Sequence, residues 1–138
     1  MTDKNRILIV DDDEVVRLSY LRSLESISCN VESASDGEIA LQTMEQNPFD
    51  VVLLDIRMPG QDGLSVLRTI KQKWPECEVV IITGFPTVGS AKEAVRLGAY
   101  DYVAKPVGPQ DVINAADGAM TRKQWALRRV PGESASAA

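Results

Sequence analysis

The sequence predicts an α/β fold: a parallel sheet of five strands with helices on both faces. Three observations carry this. Five short apolar runs recur along the chain, stretches with helical spacing separate them, and four of the five runs end in conspicuous polar residues. Short, near-continuously apolar runs suit strands buried on both faces. Strand–helix alternation implies crossovers that return each strand parallel to the last.

The first run is Ile7-Leu8-Ile9-Val10, and Val16, Tyr20, Leu24 and Ile27 after it share one helix face. Asp13 with Glu14 reads as the cap of that helix. The second run, near Asn30-Val31-Glu32, is weak; Ile39, Ala40, Thr43 and Met44 follow Asp36-Gly37, and Pro48 closes that segment. The third is Val51 to Leu54, and Leu64, Leu67 and Ile70 follow Asp62-Gly63 up to Pro75. The fourth is Val79 to Ile82; Pro86 restrains the loop into a small-residue helix face of Ala91, Ala94, Val95 and Gly98. The fifth is Tyr100 to Ala104, and Pro109 opens a last helix with Val112, Ile113, Ala116 and Met120 inward. Residues 122–130, RKQWALRRV, prolong that helix, and 131–138 read as a disordered tail. One domain over residues 1–122, followed by a helix extension or linker and tail over 123–138, is the expected organisation.

Composition narrows the chemistry. The chain has 138 residues, 44% of them hydrophobic and 25% charged, enough for one core. A net charge of −5 argues against a chain devoted to wrapping nucleic acid. No apolar run approaches a membrane span, and MTDKNRILIVDDD does not read as a signal peptide. Cys29 and Cys77 lie far apart, outside any metal-type spacing, and read as two reduced cytosolic thiols. There is no histidine, which removes His-ligated zinc and Ser-His-Asp chemistry.

Ligands of open parallel sheets bind outside the carboxyl ends of the strands. The polar residues at those ends are Asp11-Asp12-Asp13, Asp55, Thr83 and Lys105. Each alone has an ordinary reading as a cap, a turn or a solvated charge. Together, Asp11, Asp12 and Asp55 concentrate negative charge that calls for a cation. An all-oxygen set suits Mg²⁺. A hydroxyl and an ammonium opposite that cation suit a phosphoryl group, with Asp55 as a nucleophile able to form an aspartyl phosphate.

The elements ILIVDDDE, VVLLDIRMPGQDGL, VVIITG and GAYDYVAKP, in that order, closely resemble the receiver domain of two-component response regulators. The resemblance covers roughly residues 5–122. It implies a (βα)5 flavodoxin-like, doubly wound parallel five-stranded sheet with strand order 2-1-3-4-5. It implies that Asp55 accepts phosphate from a histidine kinase or histidine phosphotransfer protein, and that Mg²⁺ is the cofactor. Asp12, Asp55 and the backbone carbonyl of Arg57 would hold the ion directly, and Asp11 largely through water. Thr83 and Lys105 would bind the phosphoryl group, and the Lys105–Pro106 bond would be cis. Tyr102 would be the switch aromatic, reshaping the face made by the fourth helix, fifth strand and fifth helix, which is also a candidate homodimer surface. Arg57 and Phe85 stand where the family tunes dephosphorylation, and Gly84 departs from the family's usual alanine. AVRLGAYDYVAKP is most similar to receivers attached to ATPase-type transcription activators or hybrid kinases.

The resemblance further implies a cytoplasmic switch rather than a turnover enzyme, with no membrane partner and no direct nucleic-acid binding by this domain. Arg122, Lys123, Arg128, Arg129 and Trp125 read as the start of a linker helix or as a free helix end, with contact to DNA or a partner as the other reading. The alternative is a non-phosphorylated pseudo-receiver acting as an interaction module. An aspartate-nucleophile phosphatase would carry a second acid two residues on, where Arg57 stands. The Asp cluster would repel an FMN phosphate, and fold alone does not give function.

Overall fold

The computed structural model describes residues 5–58 and 61–127. Its elements in chain order are β1 (Asn5–Val10), α1 (Glu14–Leu24), β2 (Cys29–Ala34), α2 (Gly37–Gln46) and β3 (Val51–Leu54). They continue with α3 (Gly63–Lys73), β4 (Glu78–Thr83), α4 (Val88–Arg96), β5 (Asp101–Ala104) and α5 (Pro109–Leu127). A two-residue antiparallel ladder, Arg57–Met58 with Gln61–Asp62, closes the loop after β3. Residues 59 and 60, the end of the expected helix extension at 128–130 and the tail beyond residue 130 lie outside the described residues.

The sheet runs β2-β1-β3-β4-β5 with every pairing parallel, the 2-1-3-4-5 order the resemblance implies. Register aligns the strand exits: Val10 lies beside Leu54, Leu54 beside Ile81, and Thr83 beside Ala104. Alternate residues face opposite layers. Leu8, Val10, Val52, Leu54, Val79 and Ile81 pack under α2, α3 and α4 with Met44, Leu67 and Ile70. Ile7, Ile9, Val51, Leu53, Val80 and Ile82 pack under α1 and α5 with Tyr20, Leu24, Val112 and Ala116. Full burial of each such aliphatic chain contributes about 1.5–3 kcal/mol. This explains why three central strands read as uninterrupted apolar runs.

Capping residues set the helix starts. Asp13 accepts the Val15 and Val16 N–H groups, Asp36 that of Ile39, Asp62 that of Leu64, and Thr87 that of Ser90. Pro109 is the first residue of α5, where its missing N–H costs nothing. Three helix faces differ from expectation. Ile27 does not belong to the α1 face, because α1 ends at Leu24 and Ile27 lies in the turn after it. In α2 the inward residues are Gly37, Ala40 and Met44, while Ile39 is exposed. In α4 only Ala94 is buried, and Val95 is 70% exposed. Gly98 is not part of that face but ends it, at φ +97, with Gly98 N–H donating to Val95 O and Ala99 N–H to Ala94 O. This is a Schellman stop, and the left-handed position favours glycine.

Candidate functional site

The carboxyl ends of β1, β3 and β5 deliver Asp11, Asp55 and Lys105 to one point. Each is held by backbone. Asp55 N–H donates to Val10 O at 2.9 Å, Asp11 N–H to Ala34 O at 3.2 Å, and Lys105 N–H to Thr83 O at 2.8 Å. The ammonium of Lys105 reaches Asp11 Oδ2 at 2.8 Å and Asp55 Oδ2 at 3.0 Å. Asp11 and Asp55 are buried, 2% and 6% exposed, and Asp12 is exposed. Their remaining oxygens are partly used: Asp11 Oδ1 accepts the Asp13 N–H, and Asp55 Oδ1 accepts the Arg57 N–H, each at 2.9 Å. The Lys105–Pro106 peptide is cis.

These groups line an open cleft of about 650 Å³ with Asp12, Asp13, Ile56, Arg57, Met58, Gly84 and Phe85. A larger cleft, about 800 Å³, opens between the end of α1 and the edge strand β2. Leu18, Leu21, Ile27 and Val31 line it, and it gathers no carboxylate cluster, so size does not mark the site here. Over the acid cleft, the Arg57 guanidinium stacks on the Phe85 ring, 4.0 Å from its centroid. This pair joins the loops after β3 and β4.

Electrostatics distinguish the groups. Burial raises the Asp55 carboxyl above its ordinary range. The Arg57 N–H and Lys105 oppose that rise, and the charge of Asp11 adds to it. For Lys105, burial works against the ammonium, but its bonds to Asp11 and Asp55 outweigh burial and hold its pKa above the usual range. Burial also pushes the Tyr20 phenol up to about 12. Asp11, Asp12 and Asp55 each offer a carboxylate oxygen, all within 4.8 Å of one another. The cleft lining sets four acids, Asp11, Asp12, Asp13 and Asp55, against two cations, Arg57 and Lys105, which leaves negative charge over, and hard oxygen donors at this spacing fit a divalent cation such as Mg²⁺.

The two residues expected to switch are placed differently. Thr83 is fully buried at the end of β4, and its hydroxyl oxygen accepts the Phe85 N–H at 3.2 Å, turned into the loop. Tyr102 lies outside the cleft. Its hydroxyl accepts the Thr87 N–H at 3.3 Å and is hydrogen-bonded to Ser90 Oγ, in the first turn of α4.

Three supporting residues escape sequence reasoning. Arg17 on α1 donates to Asp11 O at 2.7 Å and pins the acidic turn. Ser90 ties Tyr102 to the α4 cap. Gly63 presses on the chain just past Asp55: an added Cβ would lie 2.3 Å from Ile56 Cα and 2.9 Å from Asp55 O. Only Gly63 left a signal, a glycine at a first helical position, where it is a poor helix former and so suggests close backbone approach.

A five-stranded parallel sheet with an acid cluster and a lysine at its carboxyl edge defines a class of signalling domain. Residues 7–117 match the response regulator receiver domain, and the chain belongs to that family. It is similar to the regulatory protein AtoC of Escherichia coli (strain K12), 40% identical over 106 residues, covering 77% of this chain and 23% of that protein. It is also similar to the DNA-binding transcriptional regulator NtrC of Klebsiella pneumoniae, 35% identical over 116 residues, covering 84% of this chain and 25% of that protein. The chain thus spans about a quarter of the length of these curated relatives. Among solved structures, it resembles a CheY-like receiver domain protein from Methanospirillum hungatei JF-1, with TM-score 0.86, 27% identity, and 90% and 99% of the two chains covered. It also resembles NtrX from Brucella abortus, with TM-score 0.82, 32% identity, and 88% and 28% covered. Among the described residues no helix is long and apolar enough to cross a membrane.

Proposed function

We propose that this chain is a cytoplasmic phosphoacceptor switch in which Asp55 takes a phosphoryl group from the phosphohistidine of a histidine kinase or histidine phosphotransfer protein. The P–N bond of the donor breaks as a P–O bond to an Asp55 oxygen forms. The observation that carries this is the placement of Asp55: a buried carboxylate aimed into an open cleft, 3.0 Å from Lys105.

Asp12, Asp55 and the Arg57 carbonyl, with Asp11 through water, would hold Mg²⁺, which when bound would screen the charge of the incoming phosphoryl group. Lys105 is already positioned at Asp55 and would follow a phosphoryl oxygen. Thr83 would have to leave the Phe85 N–H to reach another. That movement would open space behind it for Tyr102, whose ring would leave the α4 cap and reshape the face made by α4, β5 and α5. The phosphoryl group then favours one of two arrangements through contacts made only there. This face would signal by protein contact, to a downstream output or to a second copy, rather than by reading nucleic acid. Sedimentation with and without beryllofluoride tests self-association; an identical monomer in both removes it.

Arg57 and Phe85 are proposed to cover the site and exclude attacking water. Arg57→Ala and Phe85→Ala should each shorten the half-life of the phosphorylated protein several-fold, and unchanged half-lives in both would sink the idea. If beryllofluoride with Mg²⁺ fails to bind at all, the pseudo-receiver reading takes over.

A further inference from the structure

At the opposite end of the sheet, a second set of charges is built around the last turns of α5. Asp50 precedes β3 and Glu78 begins β4. Asp50 Oδ2 accepts the Arg6 N–H at 2.7 Å, and its Oδ1 accepts from Lys123 Nζ. The Lys123 side chain is only 14% exposed, an unusual burial for a lysine. The Glu78 carboxylate, 11% exposed, lies between Lys71 at 3.9 Å and Arg122 at 4.0 Å. Arg122 also stands over the Tyr100 ring, 6.0 Å from its centroid. Gly118 makes room for that ring: an added Cβ would meet Tyr100 Oη at 2.8 Å. All four α5 contributions, Gly118, Ala119 in the core, Arg122 and Lys123, lie beyond residue 117, where the match to the receiver family stops.

We infer that residues 118–123 form a clasp, anchored by Lys123 on Asp50, that locks the end of α5 onto strands β3 and β4 and so fixes the direction in which the chain leaves the domain. Those are the strands whose far ends carry Asp55 and Thr83. Arg122 and Lys123 are thereby held in a set orientation to the cleft. The geometry favours an anchor over a solvated surface pair, because a lysine buried to this degree without its partner would be costly. The inference does not depend on phosphorylation, so its failure and the failure of the phosphoacceptor reading are separable.

Hydrogen exchange of the whole chain tests it, comparing wild type, Lys123→Met, Asp50→Asn and the double variant. The asparagine retains an acceptor for the Arg6 N–H, so Asp50→Asn removes mainly the charge. Each single variant should speed exchange of amides in residues 118–125 about tenfold, leave β1–β4 protected as in wild type, and show no further gain in the double variant. Unchanged exchange in Lys123→Met would overturn the clasp. So would full additivity in the double variant, or an equal rise across the sheet, which would make the pair a general stabiliser.

Discussion

The two ends of the sheet carry charge in opposite ways. At the carboxyl end, Asp11 and Asp55 share Lys105 with Asp12 close by, and the excess charge faces a cleft. At the amino end, Asp50 and Glu78 meet Lys123, Lys71 and Arg122, and each acid has a cation of its own. Two buried acidic groups follow the same division. Asp55 opens on the cleft, whereas burial pushes the Cys77 thiol at the amino end up to about 12 and keeps it protonated and inert. The difference teaches where to look for function in a doubly wound sheet: an imbalance left open needs something from outside, and a balance already closed holds the fold together.

The contrast can be broken by removing one cation from the carboxyl end. Lys105→Met should cost about 3 kcal/mol of stability without divalent ions, because two nearly buried carboxylates lose their partner. Millimolar Mg²⁺ should restore part of that loss, read as the urea midpoint with and without the ion. At the amino end, Asp50→Ala should cost about 2 kcal/mol by stranding Lys123 and the Arg6 N–H. That loss should be indifferent to Mg²⁺; a Mg²⁺-dependent rescue would mean the two ends are not distinct. The smallest effect on stability is expected for Asp12→Asn. Asp12 is exposed, so the change should stay within about 0.5 kcal/mol. Its Mg²⁺ affinity, followed by titration calorimetry, should nevertheless fall tenfold or more.

The carboxyl end was largely legible in the sequence and the amino end was not. Polar residues directly after apolar runs mark strand exits, and parallel strands bring all exits to one edge. Strand exits therefore point to the meeting of Asp11, Asp55 and Lys105. The Asp50–Lys123 pair spans 73 residues and interrupts no pattern, so nothing local announces it. Thr83 facing Phe85, and Tyr102 bonded to Ser90, depend on side-chain torsions that spacing does not set. Ile39 and Val95 were misplaced for a related reason: each has a neighbour one position away, Ala40 or Ala94, that fits tight packing against the sheet better.

We propose that the open imbalance at the carboxyl end receives a phosphoryl group on Asp55. The direct measurement is incubation with acetyl phosphate and Mg²⁺, followed by intact mass and base lability, for wild type, Asp55→Asn and Asp13→Asn. A base-labile gain of one phosphoryl group in wild type and Asp13→Asn, absent in Asp55→Asn, is the predicted result. An adduct that persists in Asp55→Asn, or none in wild type, would contradict the account.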